Sequence, residues 1–364
     1  MWETGRHRGR HVQRQRTTRP WPLVLGLVLV LVAVGAIWLP RALAWRPTVI
    51  AAVPYWDLER GLVSVAQHGS FLDEVTPWWY GLAPDGSIVS DLPGGADAEN
   101  TALIRAGGGG MRLVPTVAST NKGVWAPHVV HDILQDTQRM NAHTDALVSL
   151  AVSHGFAGLQ IDYEDLEAGD RDLFTSFVTI LAARMHERDK VLYVTVHPKT
   201  TDAGYDARNM AQDYAALGRT ADRLVIMAYD WHWQASEPGP IAPASWVEEV
   251  VRYTLSQVPA DRVVLGLGLY GYDWVGARGE PVVWRQVEDL VARTGATPAW
   301  DEASASPHLE YTLDGAVHEV WYEDARSFDI KLALAEKYGL AGVELWRLGD
   351  EDPGTWTVIR DRAT

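Results

Sequence analysis

Between residues 48 and 346 the chain alternates short apolar runs with longer stretches whose apolar positions recur at helical spacing. The runs with strand character fall at 48–54, 74–80, 112–118, 157–162, 191–196, 223–229, 262–268 and 341–346. The clearest helical stretches are 129–153, 170–187, 245–257 and 324–337; in the second, Val178, Leu181, Ala182 and Met185 mark one helix face. Strands and helices alternating in this way predict an α/β fold, a (β/α)8 TIM barrel, with a doubly wound sheet as the alternative. One segment, about 275–321, departs from the rhythm. It predicts a helix at 284–293 and a hairpin at 309–320 turning at Asp314-Gly315, a small α+β insertion between the seventh strand and its helix.

The fourth run breaks its own pattern. In GFAGLQIDYEDLE, Phe156, Ala157, Leu159 and Ile161 are apolar, yet Gln160, Asp162 and Glu164 interrupt them at every second position. Strand side chains alternate between faces, so these three polar groups share one. A TIM barrel carries its active site at the C-terminal strand ends, which places Asp162 and Glu164 at the mouth. Other runs end in Tyr55-Trp56, in Met227-Ala228-Tyr229-Asp230 followed by Trp231 and Trp233, in Tyr270, Tyr272 and Trp274, and in Trp346, while Trp78 lies in the second. Carboxylates ringed by aromatic faces predict a sugar-binding cleft. Two carboxylates roughly 7 Å apart along a single strand face do not bracket a glycosidic bond from both sides. A reaction with one acid, and a nucleophile from elsewhere, fits that placement better.

Composition narrows the classes. The chain has 364 residues with 47% hydrophobic content, enough for a sizeable core. Its formal charge of −15 combines about +7 over residues 1–46 with about −22 over the remainder. An acidic body argues against nucleic acid as a partner. Absence of cysteine excludes disulfides and thiolate chemistry. Seventeen Trp and 13 Tyr against 5 Phe favour rings with a polar handle, suited to stacking surfaces. His128, His131 and His143 have a loosely metal-like spacing but fall on one helix without a fourth ligand, so they are read as a solvated face, with no metal and no cofactor. The acids between Glu167 and Asp172 are read as a helix start.

The N-terminus reads as an address. A basic tail, 1–20, precedes an uncharged run, WPLVLGLVLVLVAVGAIWL (residues 21–39), within an expected transmembrane segment 21–40. The basic flank stays inside by charge, placing the body 46–364 outside the cell membrane. The alternative is a signal peptide cleaved near Ala44.

The motifs GLQIDYE, MAYD and LWRLGDED, in that order, resemble glycoside hydrolase family 18, the chitinase family, over essentially 49–356. The family's fourth-strand signature is D-G-x-D-x-D-x-E. VWYEDARSFDIK resembles the bacterial branch that includes peptidoglycan N-acetylglucosaminidases. The resemblance implies Glu164 as general acid and base, Asp162 as acceptor for the substrate's acetamido N–H, Tyr229 as donor to the acetamido oxygen, and Trp346 as floor of the −1 sugar. Gln160, Met227 and Asp230 would line that subsite, with Tyr55, Trp56, Trp78, Trp231 and Tyr270 as further binding candidates. The implied substrate is a glycan containing N-acetylglucosamine: chitin, peptidoglycan or an exported polymer. A lectin of the same fold and a scaffold using the aromatic rim are the other readings. Where the signature has Asp, this chain has Ala157 and Gln160. The Gln160 amide is expected to hydrogen-bond Asp162 and favour its charged form.

Overall fold

The computed structural model describes residues 1–2, 45–92 and 94–363. Parallel strands β1 (Thr48–Pro54), β2 (Glu74–Leu82), β3 (Thr116–Ala118), β4 (Gly158–Asp162), β5 (Val191–Val196), β6 (Arg223–Met227) and β7 (Val263–Gly268) follow one another, and a last strand, Gly342–Trp346, completes the set. The last strand pairs with both β7 and β1, and β1 pairs with β2, so the sheet closes on itself. Inside it Ile50, Val114, Tyr193, Val225 and Val264 form one apolar cluster. The architecture is the expected closed barrel with helices, not the open sheet.

Local chemistry explains where elements differ from the sequence pattern. The third run splits, because Arg112–Leu113 pairs with β2 separately from β3 and Pro115 lies between them. Proline lacks the N–H that a continuous ladder needs. The helix expected at 129–153 is two helices, Pro127–Gln135 and Thr137–Ser153. Asp136, extended at φ −117°, ends the first and caps the second by accepting from the backbone N–H of Gln138 and Arg139. Gly158 in β4 is required for packing, since a Cβ there would lie 2.1 Å from the Val191 carbonyl oxygen on β5.

The insertion is an antiparallel sheet of β8 (Tyr270–Val275), β9 (Arg278–Val283), β10 (Ala299–Asp301), β11 (Ser306–Leu313) and β12 (Ala316–Tyr322), with a helix at Trp284–Thr294. It begins at Tyr270, earlier than the pattern implied, because 270–275 pairs with β9 and β12 rather than trailing off the seventh strand. Its own core joins Val287 and Leu290 of the helix to Leu309, Tyr311 and Val320. Asp314 and Gly315, at φ 52° and 81°, make the two-residue turn from β11 into the strand that follows, labelled β12. The last barrel strand is therefore β13 (Gly342–Trp346).

The expected span 21–39 lies outside the described residues. No described helix is long and apolar enough to cross a membrane.

Candidate active site

A cavity of about 900 Å³ opens at the C-terminal ends of the barrel strands. Gln160 and Asp162 line it, as the alternation along β4 requires, and Glu164 lines it from two residues past the end of that strand. Met227, Tyr229, Asp230 and Trp231 line it from the end of β6, Tyr55 and Trp56 from the end of β1, Trp78 from β2 and Trp346 from β13. Immediately past β4 and β6 the chain turns sharply, with Asp165 and Asp230 in the left-handed region at φ 56° and 58°.

Trp346 is the hub of the aromatic wall. Its ring lies 6.5 Å from that of Tyr229 in stacked orientation and 6.4 Å from those of Trp56 and Trp78, nearly edge-on. Trp56 and Trp231 are exposed at 48% and 44%, leaving ring faces open to a ligand. Trp125 joins the Trp78 side.

Asp162 is buried, and Trp78 Nε1 donates to its Oδ2 at 2.9 Å. Its Oδ1 has no protein partner among the described residues. Burial pushes the Asp162 carboxyl up to about 6, against the Trp78 hydrogen bond that favours its charged form. Glu164, with a side chain 18% exposed, is raised well above the usual carboxylate range, first by desolvation and then by the charge of Asp162. Its Oε2 lies 3.6 Å from His197 Nε2. Burial, aided by Arg208, lowers that imidazole to about 3 and keeps it neutral, so it does not pull the acid's proton affinity down.

Two expected contacts are corrected. Gln160 does not hydrogen-bond Asp162; its Nε2 donates to both carboxylate oxygens of Glu344 on β13, at 3.1 and 3.2 Å. The long amide reaches across the barrel instead of along its own strand. Tyr270 is not part of the cavity wall; its hydroxyl donates at 2.5 Å to Asp230 Oδ1, which Tyr272 also reaches at 3.1 Å. Tyr272 lines the cavity in its place, and Trp274 is fully buried beneath. The histidines also divide. His131 pairs with Asp170, and His143 is buried against the Tyr163 hydroxyl at 2.6 Å rather than solvated. Among the described residues no group of three or more His, Asp or Glu is arranged to hold a metal.

Glu344, His197, Tyr205 and Arg208 line the cavity without having been singled out in the sequence. Glu344 carried a signal: it stands two positions before Trp346 on one strand, hence on the same face. His197 directly follows β5, where barrel sites gather.

Residues 130–352 match the family model Glycosyl hydrolases family 18. The sporulation-specific glycosylase YdhD of Bacillus subtilis is 30% identical over 83% of this chain and 71% of its own length. Among solved structures, a chitinase from Chromobacterium violaceum superimposes with a TM-score of 0.80 at 29% identity, covering 86% of this chain and 98% of that one. The Bacillus cereus spore cortex-lytic enzyme SleL does so at 0.80 and 25% identity, covering 88% and 75%. The chain belongs to glycosyl hydrolase family 18, and is a glycosidase.

Proposed function

We propose that the enzyme cleaves β-1,4 bonds beside N-acetylglucosamine with retention, using the substrate's own acetamide as nucleophile. The observation that carries this reading is the unpartnered Oδ1 of buried Asp162 at the end of β4, with Glu164 two residues further on and lining the same cavity. A sugar in the cleft would rest on the Trp346 ring. Its acetamido N–H would donate to Asp162, and Tyr229 would donate to the acetamido oxygen. That oxygen attacks the anomeric carbon while Glu164 gives its proton to the departing glycosidic oxygen, leaving a cyclic oxazolinium. Glu164, now a carboxylate, takes a proton from water as the water adds to the anomeric carbon and reopens the ring. A raised proton affinity at Glu164 supports the first step near neutrality. Asp230, a further carboxylate lining the cavity, is held by Tyr270 and Tyr272 and serves as a wall.

The similarity to a spore cortex-lytic enzyme and to a chitinase supports a structural glycan as substrate, and the basic-then-apolar N-terminus supports a cell-wall polymer met outside the membrane. No nucleic acid and no cofactor enters this reading. The test is hydrolysis of matched N-acetylglucosamine and glucose oligomers by the purified full-length chain. Turnover confined to acylated oligomers is expected; equal turnover of both overturns the mechanism. Membrane fractionation before and after an alkaline wash tests the anchor, with loss to the wash counting against it.

A further inference from the structure

Glu164 stands where the barrel's own hydrogen-bond ladder has run out. Strand β4 ends at Asp162, and its pairing with β3 closes with Ala118 opposite Asp162. One step further, the Ser119 N–H still donates to the Asp162 carbonyl at 3.1 Å. In a continuing parallel ladder the Ser119 carbonyl would next accept from the Glu164 N–H. That carbonyl has turned away, accepting instead from the Ala126 N–H at 2.8 Å at the base of the hairpin that carries Trp125. The serine hydroxyl takes its place. The Glu164 N–H donates to Ser119 Oγ at 3.0 Å, and the same hydroxyl donates to the Glu164 carbonyl at 3.3 Å.

These two bonds grip the peptide groups on either side of the Glu164 Cα, so together they set the direction of its Cα–Cβ bond. The neighbouring residues lend the carboxyl little aim of their own. The His197 imidazole, 3.6 Å from it, is beyond hydrogen-bond distance. Tyr163 is buried, with its hydroxyl 2.6 Å from His143 Nε2. Asp165 holds φ 56°, a conformation that residues other than glycine keep only where their surroundings impose it. Ser119 is fully buried and does not line the cavity, so its hydroxyl meets the backbone of residue 164 rather than a ligand.

We propose that Ser119 is a positioning residue for the general acid: its hydroxyl extends the β3–β4 ladder by one bond and so holds Glu164 where its proton reaches the glycosidic oxygen. The proposal rests on the reading of Glu164 given above. Without the hydroxyl, the Glu164 peptide groups lose both bonds and the carboxyl ranges more widely. Proton transfer needs the acid within hydrogen-bond reach of the leaving oxygen, so that step suffers most. Binding, which falls to the aromatic wall and Asp162, is kept.

The test compares full-length wild type, Ser119→Ala and Ser119→Thr on an unmodified N-acetylglucosamine oligomer and on one carrying a phenolic leaving group. Both substitutions retain the backbone bonds of residue 119 to Asp162 and Ala126. Ser119→Ala should lower kcat on the unmodified oligomer by about 10- to 100-fold, with KM little changed. A phenolate departs with less help from an acid, so the loss on that substrate should be clearly smaller. Ser119→Thr keeps a hydroxyl on the same carbon and should retain most of the wild-type rate. A purely structural role would instead lower the urea midpoint and cut turnover of both substrates in the same proportion. Equal losses on the two substrates, an unchanged kcat in Ser119→Ala, or a folded Ser119→Thr as slow as Ser119→Ala each overturn the proposal. Should Ser119→Thr fail to fold, the leaving-group comparison in Ser119→Ala decides alone. Should Ser119→Ala fail to fold, Ser119→Cys, whose thiol is a weak hydrogen-bonding group, takes its place in that comparison. Wild type without turnover of acylated oligomers would overturn the underlying mechanism, whereas normal wild-type turnover with equal losses in the variant overturns only this proposal.

Discussion

Trp78 Nε1 lies 2.9 Å from Asp162 Oδ2, tying an indole on β2 to a carboxylate on β4 across a single intervening strand. The bond stabilises the charged form of a group that burial would otherwise keep protonated. Trp78→Phe keeps most of the ring and deletes the donor. Loss of the donor raises the proton affinity of Asp162, so the acidic limb of the pH–rate profile should move up from about 6. A displacement of about one unit is expected. Profiles of kcat/KM for wild type and variant check it, and an unmoved acidic midpoint counts against Asp162 as the group that must be charged.

Glu164→Gln preserves shape but carries no transferable proton. Turnover of an N-acetylglucosamine oligomer should fall by about 10³-fold or more, with KM changed little, because the loss falls on proton transfer rather than on binding. Single-turnover kinetics, with circular dichroism as the control for fold, check this. Retained turnover would move the acid elsewhere in the site.

A carboxyl whose proton affinity is higher in the folded than in the unfolded state makes the folded chain bind more protons between the two values. Stability then falls as pH rises through that window. For Glu344 the window runs from 4.5 to about 7. Its ionisation should cost on the order of 3 kcal/mol above that window. Glu344→Gln should therefore gain stability relative to wild type at pH 8, compared with its relative stability at pH 5. Denaturant melts at the two pH values measure the difference, and a pH-independent offset would contradict it.

Away from the cleft, Lys331 Nζ and Glu323 Oε2 pair at 2.5 Å with both side chains almost fully buried, and Ser327 Oγ also donates to Glu323. Removing one partner leaves an uncompensated charge in the interior. Lys331→Met should destabilise the fold by about 3–5 kcal/mol. The shift in urea midpoint reads it directly, and a shift near zero would mean that Glu323 takes up a proton without cost.

How far the site could be read in advance depended on whether a signal was local. β4 was readable because polar residues at every second position stand out against apolar neighbours, and alternation places Gln160 and Asp162 in the cavity, which Glu164 enters from just past the strand's end. The Asp314-Gly315 turn was readable for a similar reason, since few residue pairs accept left-handed backbone in succession. The partner of Gln160 was not readable. It lies 184 positions away, and only closure of the barrel brings it within reach. Tyr270 and Tyr272 differ by two residues in a strand and so share a face, yet only Tyr272 lines the cavity, a distinction that the strand pattern does not carry. The break at Asp136 was hidden because a capping aspartate looks, in sequence, like any exposed polar position on a continuous helix.

Closure of the barrel by its last strand has a consequence for biosynthesis. Asp57 and Arg347, joined in the folded chain, are 290 positions apart, and Trp346 sits at the far end of the same final strand. A ribosome that has not yet released the carboxyl-terminal segment holds a polypeptide with β4 but without the strand that closes the barrel or the Trp346 ring of the cavity wall. The barrel and its cleft are thus complete only when the tail comes home to the head.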